Sequence, residues 1–291
     1  MAVYKRHYEP YAGSLTKRRS RVFVLTRYAI RELFRSRFFT GFFVLSLVPV
    51  LGFAGYIFIA NNQLLGQLFS FRSGSAGLPV EAQFFAIFLE VQTTLAFLLT
   101  CWAAPTLVSG DLTNGALPLF FSRPLSRPEY VAGKFAVLGI LLSFMTWVPA
   151  LLLLFLEAGL ASRHWLMPHV WLIGPILWCS VLWIALLSLI ALAASAWVKW
   201  RILAMASIFG VFILPAGFGE VLNATLRTHW GNLLNISQMY QEIVWAGFRA
   251  PFHGDGEALP LAAAWVALAV VCLICLRLLQ TRLRAFEVVR G

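Results

Sequence analysis

Residues whose types and spacing favour docking of a protein partner are concentrated in residues 109–134. This segment reads SGDLTNGALPLFFSRPLSRPEYVAGK: an acid four residues before a glycine, an apolar run, Pro-Leu-Ser-Arg, and finally Gly-Lys. Apolar side chains ringed by charges are typical of a surface that a soluble partner covers. We expect docking to depend on nine of these residues: Asp111, Gly115, Leu117, Phe120, Phe121, Arg123, Pro124, Ser126 and Arg127. The alternative is a loop whose aromatic side chains touch only lipid.

A second group of polar residues lies inside an apolar run, where each polar side chain is costly. Glu90 is the only carboxylate well within such a run, and Gln92, Thr93 and Thr94 follow it closely. Glu90 and Thr94 share one helical face because they are four residues apart. These four residues are candidates for the lining of a path through the membrane. An equal alternative places Glu90 near the outer headgroups, bonded to a neighbouring helix.

Residues that would support enzyme chemistry or a metal centre are sparse. Cys272 and Cys275 have a CxxC spacing, but they lie in an apolar run without a further Cys or His, which favours simple packing. His164 and His169 have no carboxylate pair nearby. Because these residues lack further ligands, we expect no metal site. The sequence contains no G-x4-G-K-[ST] loop, so we expect no ATP to bind this chain in that way. Besides a membrane path with a docked partner, two other functions stay open: an integral membrane enzyme acting on lipid, and a membrane scaffold without transport.

Composition defines the elements that position these residues. Of the 291 residues, 60% are hydrophobic and only 12% are charged, and the mean hydropathy is +0.80. A soluble domain carries about 25% charged residues, so the composition predicts an all-α protein that crosses a membrane several times. A spanning helix needs about 20 mostly apolar residues. Six runs qualify, at about 39–60, 84–108, 131–156, 170–197, 201–222 and 259–280. Together they form one membrane domain, 39–280.

Charge predicts the orientation of these spans. The net charge is +11, and 19 of the 23 Lys and Arg residues border the four segments that lie inside if the N-terminus is inside. Because short inner loops are enriched in Lys and Arg, both tails, 1–38 and 281–291, are predicted to be cytoplasmic. We expect no nucleic-acid partner. Within the first tail, Arg27, Arg31 and Arg35 form one helical stripe opposite an apolar one, which favours a helix in the inner interface over one packed on a cytosolic partner.

The outer segment 223–258 is predicted to contain a short re-entrant helix over about 236–248, capped by Asn235 or Ser237. It follows a fifth span that Pro215, Gly217 and Gly219 are expected to interrupt. Three aromatic residues of this segment are predicted to be covered, as parts of a lid over the outer end of a path: Tyr240, Trp245 and Phe248.

The order of these features resembles the transmembrane subunits of ABC-2 type transporters. In that family the inner link typically reads acid-x3-Gly-Thr, an apolar run, Pro-x-Ser-Arg, then Gly-Lys, and this chain departs only mildly, with Ala116 for Thr and Asp111 for the commoner Glu. The resemblance implies a permease subunit of an exporter in a bacterial inner membrane. It also implies a coupling link at 109–130, separate ATPase subunits that bind ATP and Mg, and a second permease copy or close relative. The lipid bilayer is the remaining partner.

Overall fold

The fold is described by a computed structural model for residues 18–62, 79–113, 115, 127–161, 165–250 and 260–284. These residues form helices, turns and short connections, and no strand occurs among them. The α-helices are α1 Arg18–Arg35, α2 Arg37–Leu45, α3 Val48–Asn61, α4 Ala82–Thr113, α5 Arg127–Met145, α6 Trp147–Leu160, α7 Leu166–His169, α8 Ile173–Trp197, α9 Arg201–Leu226, α10 Ile236–Gly247 and α11 Leu261–Arg284. Two 3-10 helices cover Val170–Leu172 and Trp230–Leu234.

Six helical stretches in the described residues are long and apolar enough to cross a membrane, which confirms the predicted fold class. From the first span to the sixth they are Arg37–Asn61, Ala82–Asp111, Pro128–Leu160, Leu166–Trp197, Arg201–Leu226 and Leu261–Arg282. Spans two, three and four are mostly buried and form the centre of the bundle, whereas spans one, five and six are largely exposed. Exposed apolar side chains such as Leu51, Leu214 and Val266 suit contact with lipid tails.

Two spans are interrupted near their middle. The first breaks at Ser46 and Leu47, between α2 and α3, and the third breaks at Thr146, between α5 and α6. Each break is followed two or three residues later by a proline, Pro49 or Pro149, which has no main-chain N–H to bond to the carbonyl four residues earlier. The two segments beyond the breaks pack against each other.

The predicted interruption of the fifth span was wrong. Pro215 lies inside α9, which continues through Gly217 and Gly219 to Leu226. One missing hydrogen bond is tolerated in a long membrane helix. Gly219 serves a different purpose, because a side chain there would collide with the carbonyl of Gly231 in the following 3-10 helix. The glycine therefore permits close packing of the outer segment on α9.

Helix α1 lies against the first turns of α5. Thr26 and Leu33 on its inner face are buried, whereas Arg27, Arg31 and Arg35 are exposed on the other side. The Thr26 hydroxyl donates to the main-chain carbonyl of Gly133 over 3.2 Å.

Helix α10 occupies the position predicted for the outer helix. The side-chain oxygen of Asn235 accepts from the main-chain N–H of Gln238 over 3.1 Å, so Asn235, rather than Ser237, caps the helix.

Candidate functional site

The end of span two that the charge pattern predicts to face the cytoplasm, called the inner end below, carries an ion pair that joins it to span three. Lys134 Nζ lies 2.7 Å from Asp111 Oδ2, and the Tyr130 hydroxyl donates to the same oxygen over 2.7 Å. The side chain of Lys134 is only 6% exposed and that of Asp111 only 20%. Desolvated charges require such partners. Tyr130 lies one helical turn before Lys134 and holds the carboxylate against the ammonium group.

The same helical turn is bonded to the end of span four and to the short connection that follows it. Ser109 Oγ donates to the carbonyl of Ser195 over 3.1 Å, and Thr113 Oγ1 donates to the carbonyl of Lys199 over 2.8 Å. The last carbonyls of a helix have no intrahelical partner, and Ser195 lies in the last turn of α8. Residues 109–113 therefore bond to two neighbouring spans at once, and we call them the inner turn.

Span six is fastened to the same end of span four. Arg282 Nε donates to the carbonyl of Ala196 over 3.4 Å, and Trp197 Nε1 donates to the carbonyl of Leu278 over 3.3 Å. The Arg282 guanidinium also lies 5.5 Å from the centre of the Trp197 ring. A cation at the end of a helix complements its dipole, so Arg282 stabilises the C-terminus of α8.

The link predicted to dock a partner is described only at its ends. Asp111 lies in the inner turn, and Gly115 has a φ of +61°, the left-handed conformation that glycine adopts readily after a helix. Arg127 begins α5. Six of the predicted docking residues lie outside the described residues: Leu117, Phe120, Phe121, Arg123, Pro124 and Ser126.

Sequence reasoning did not identify the partners of Asp111. The Gly133-Lys134 spacing was noted as part of a family pattern, but its pairing with the acid was not predicted. The available signal was the opposite charge of Asp111 and Lys134 at facing ends of consecutive spans, with Tyr130 one turn away.

The four residues proposed to line a path do not share one environment. Glu90 Oε1 accepts a hydrogen bond from Gln241 Nε2 of α10 over 2.8 Å. Gln92 is fully buried, and its amide bonds to none of the described residues. Two residues further along a helix point to nearly opposite sides, so Glu90 and Gln92 face different neighbours. Thr93 and Thr94 each donate to the Glu90 carbonyl over 3.0 Å.

The predicted lid residues Tyr240, Trp245 and Phe248 are all buried against the bundle. The Tyr240 hydroxyl donates to the carbonyl of Cys179 in span four over 3.2 Å. Burial raises the pKa of Tyr240 well above its usual value, so the hydroxyl stays protonated and keeps donating. Helix α10 is thus held to span four by Tyr240 and to span two by Gln241. Their role as a lid stays a prediction.

A further outer contact joins the segments beyond the two helix breaks. Asn61 Nδ2 donates to Glu157 Oε2 over 2.8 Å, and Glu157 is buried. This pair fastens the outer end of span one to that of span three.

Of the cysteine and histidine residues considered as metal ligands, those that the structure describes are packed against neighbouring groups. Cys275 is buried and Cys272 partly buried, while His169 Nδ1 lies 2.7 Å from the carbonyl of Trp165 and its ring stacks on that indole. His164 lies outside the described residues. Among the residues that the structure describes, no three Cys, His, Asp or Glu side chains are grouped to hold a metal ion.

Comparison with known proteins identifies a family that matches this chain. A family model described as ABC-2 family transporter protein matches residues 25–287. The match runs from the middle of α1 to beyond the end of α11, and it includes the inner turn and both outer pairs. No individual curated protein matches the chain.

Proposed function

The chain belongs to the ABC-2 family of transporter proteins, and from that premise we propose that it is the membrane subunit of an ATP-driven exporter. Family membership makes it a multi-pass permease of an ABC transporter, a class that associates with an ABC ATPase. We further propose that the ATPase seats on the 109–130 link, that ATP and Mg bind to that separate subunit, and that the substrate moves outward.

The bonds of the inner turn support a coupling role for the link that follows it. Asp111 bonds to span three through Lys134. Ser109 bonds to a main-chain carbonyl at the end of span four, and Thr113 to one in the short connection just beyond it. A force applied to the link enters span two and is passed directly to two neighbours. This connection of one cytoplasmic segment to three central spans is the observation that carries the proposal.

The distribution of charge supports the proposed orientation, with both tails and the link in the cytoplasm of a bacterial cell and residues 223–258 outside its inner membrane. Nineteen of 23 basic residues border the inner segments under this arrangement. A single cysteine introduced into the link would contradict it by reacting with an impermeant reagent added to intact cells.

A second permease copy or close relative completes the proposed transporter. The path would run between the two subunits, with α10 covering its outer end. Glu90 is half-buried and bonds to Gln241 of α10. Its position therefore suits two roles: lining the path, or holding α10 in place over the outer end of the path.

The docking role is tested by a double substitution, Phe120→Ala with Phe121→Ala. Burying one phenylalanine in an interface is worth roughly 1.5–3 kcal/mol, and each 1.4 kcal/mol is a factor of ten. The double variant is expected to weaken ATPase binding by about 30-fold or more while the permease still inserts into the membrane. The measurement is the amount of ATPase that copurifies and the stimulation of its activity.

A matched control removes two phenylalanines that are exposed on span three, Phe144 and Phe155. The Phe144→Ala, Phe155→Ala variant deletes the same atoms from a lipid-facing surface, so copurification of the ATPase should be unchanged. If the Phe120, Phe121 variant keeps wild-type copurification and stimulation, the link is not the docking site.

A further inference from the structure

Helix α1 is attached to the rest of the bundle at two points. Its first attachment is to span three, where Thr26 bonds to the carbonyl of Gly133 and the Leu25 side chain fills the space that a side chain at Gly133 would need. Its second is the joint at Ser36, after which span one begins at Arg37. The ten residue steps from Thr26 to Ser36 cover about 15 Å of helix. A helix held at the inner ends of two spans runs along the surface.

The outward side of α1 combines cations with aromatic rings. Arg27, Arg31 and Arg35 are exposed at intervals of four residues, and none of them pairs with a described carboxylate. Phe23 is 68% exposed and Tyr28 is 67% exposed on the same outward half of the helix. Large rings left in water are unfavourable, whereas aromatic residues are enriched at the boundary between lipid and water.

From this surface we infer that α1 binds anionic phospholipid headgroups of the cytoplasmic leaflet. Guanidinium groups match phosphate oxygens in geometry as well as in charge. Clusters of four to eight basic residues beside a membrane span favour anionic lipids. In the sequence, Lys17, Arg18, Arg19 and Arg21 precede the three arginines, and Glu32 is the one acid between residues 17 and 37.

The lipid would stabilise the same turn of span three that carries the ion pair. Gly133 accepts from Thr26, and its neighbour Lys134 bonds to Asp111 of the inner turn. Anionic lipid that holds α1 in place therefore supports the connection between spans two and three. This inference rests on the proposed orientation but needs no ATPase, so it can fail without the coupling proposal failing.

The test uses the purified full chain and native mass spectrometry with phosphatidylglycerol or phosphatidylcholine added at increasing concentration. Each basic residue near an anionic surface contributes roughly fivefold in affinity. The variant Arg27→Gln, Arg31→Gln, Arg35→Gln is expected to hold phosphatidylglycerol at least tenfold more weakly, with phosphatidylcholine unaffected. Replacing the same three residues by lysine should restore most of the preference.

Two further arms decide between explanations. Lys199→Gln with Arg277→Gln removes exposed inner charges outside α1 and should change phosphatidylglycerol binding by less than the α1 substitutions. A triple glutamine variant with wild-type phosphatidylglycerol binding overturns the inference. If that variant instead releases the ATPase, the stripe faces the ATPase and not lipid. If the triple glutamine variant unfolds, it will lose binding of both lipids, and size exclusion will detect the change. The triple lysine variant should stay folded and keep its preference for phosphatidylglycerol.

Discussion

At the inner end of the bundle, spans two, four and six are joined through main-chain carbonyls, whereas two outer joints are pairs of side chains. Ser109 and Arg282 both donate to carbonyls at the end of α8. Outside, Gln241 donates to Glu90 and Asn61 donates to Glu157. A carbonyl acceptor is fixed by the helix that carries it, while a pair of side chains separates by rotation or protonation. The inner end also has the buried Asp111–Lys134 pair, and the outer end has one carbonyl joint, from Tyr240 to Cys179. Because most of the inner joints are fixed and two of the outer ones can separate, the inner end is suited to passing on movement and the outer end to opening.

The helix breaks add to this difference. Spans one and three are interrupted near their middle, and only their outer segments are connected by the Asn61–Glu157 pair. Span two runs without a break from Ala82 to Thr113. An unbroken helix carries displacement along its length, while interruptions let the outer segments move separately. The energy for such movement would enter at the inner turn.

The largest expected effect comes from breaking the inner ion pair. Removing one partner of a buried pair costs about 3–5 kcal/mol because the other charge stays buried alone. Asp111→Leu or Lys134→Met should each lower the thermal unfolding temperature of the purified permease substantially. The double variant Asp111→Leu, Lys134→Met should recover much of the loss, since replacing both charges by apolar groups leaves none unpaired.

If the double variant loses as much stability as the two single variants together, the two side chains contribute independently and the ion pair is not what stabilises this end. Tyr130→Phe is the matched milder change, because it removes one hydrogen bond to Asp111 and keeps the ion pair. It should cost about 1.5–3 kcal/mol, the range for hydrogen bonds to charged groups.

The spans were predictable because the bilayer dictates their length and composition. The predicted 201–222 begins where α9 begins, and Asn235 was one of the two predicted caps of α10. Prolines were less informative, since Pro215 lies in a continuous helix while Pro49 and Pro149 follow breaks. Whether a proline breaks a helix depends on how neighbouring helices pack around it, and that information is not local.

The partners of functional residues were harder to predict for the same reason. Gln241 is 151 residues from Glu90, and no periodicity links them. Lys134 is closer to Asp111 in sequence, but their contact depends on how spans two and three turn towards each other. The sequence indicated which polar residues were costly enough to need an explanation, while only the packed helices identify the groups that bond to them.

An intermediate effect is expected at the outer joint of Glu90 and Gln241. Glu90→Leu removes the acceptor and should cost about 1.5–3 kcal/mol, the range for hydrogen bonds to charged groups. Glu90→Gln keeps an oxygen that can accept from Gln241 and should cost less. If Glu90 is a fastening for α10, Gln241→Leu will alter transport as much as Glu90→Leu, and the two changes together will add little.

The alternative role of Glu90 gives a different pattern. If Glu90 lines the path, Glu90→Gln changes transport or substrate-stimulated ATPase activity, whereas Gln241→Leu leaves both near wild type. Transport and thermal stability measured on the same three variants therefore assign Glu90 to the wall of the path or to the cover.

The smallest effect is expected for Ser109→Ala, which removes one donor from the inner turn. Hydrogen bonds between membrane helices contribute about 0.6 kcal/mol on average, so unfolding should shift only slightly. The matched control is Ser143→Ala, because Ser143 donates to Gly139 within its own helix. If the inner end transmits movement, Ser109→Ala will reduce stimulation of ATPase activity more than Ser143→Ala does at equal stability. Equal coupling in the two variants would mean that the Ser109 joint only stabilises the fold, and that transmission from the inner turn depends on Thr113 and the Asp111–Lys134 pair.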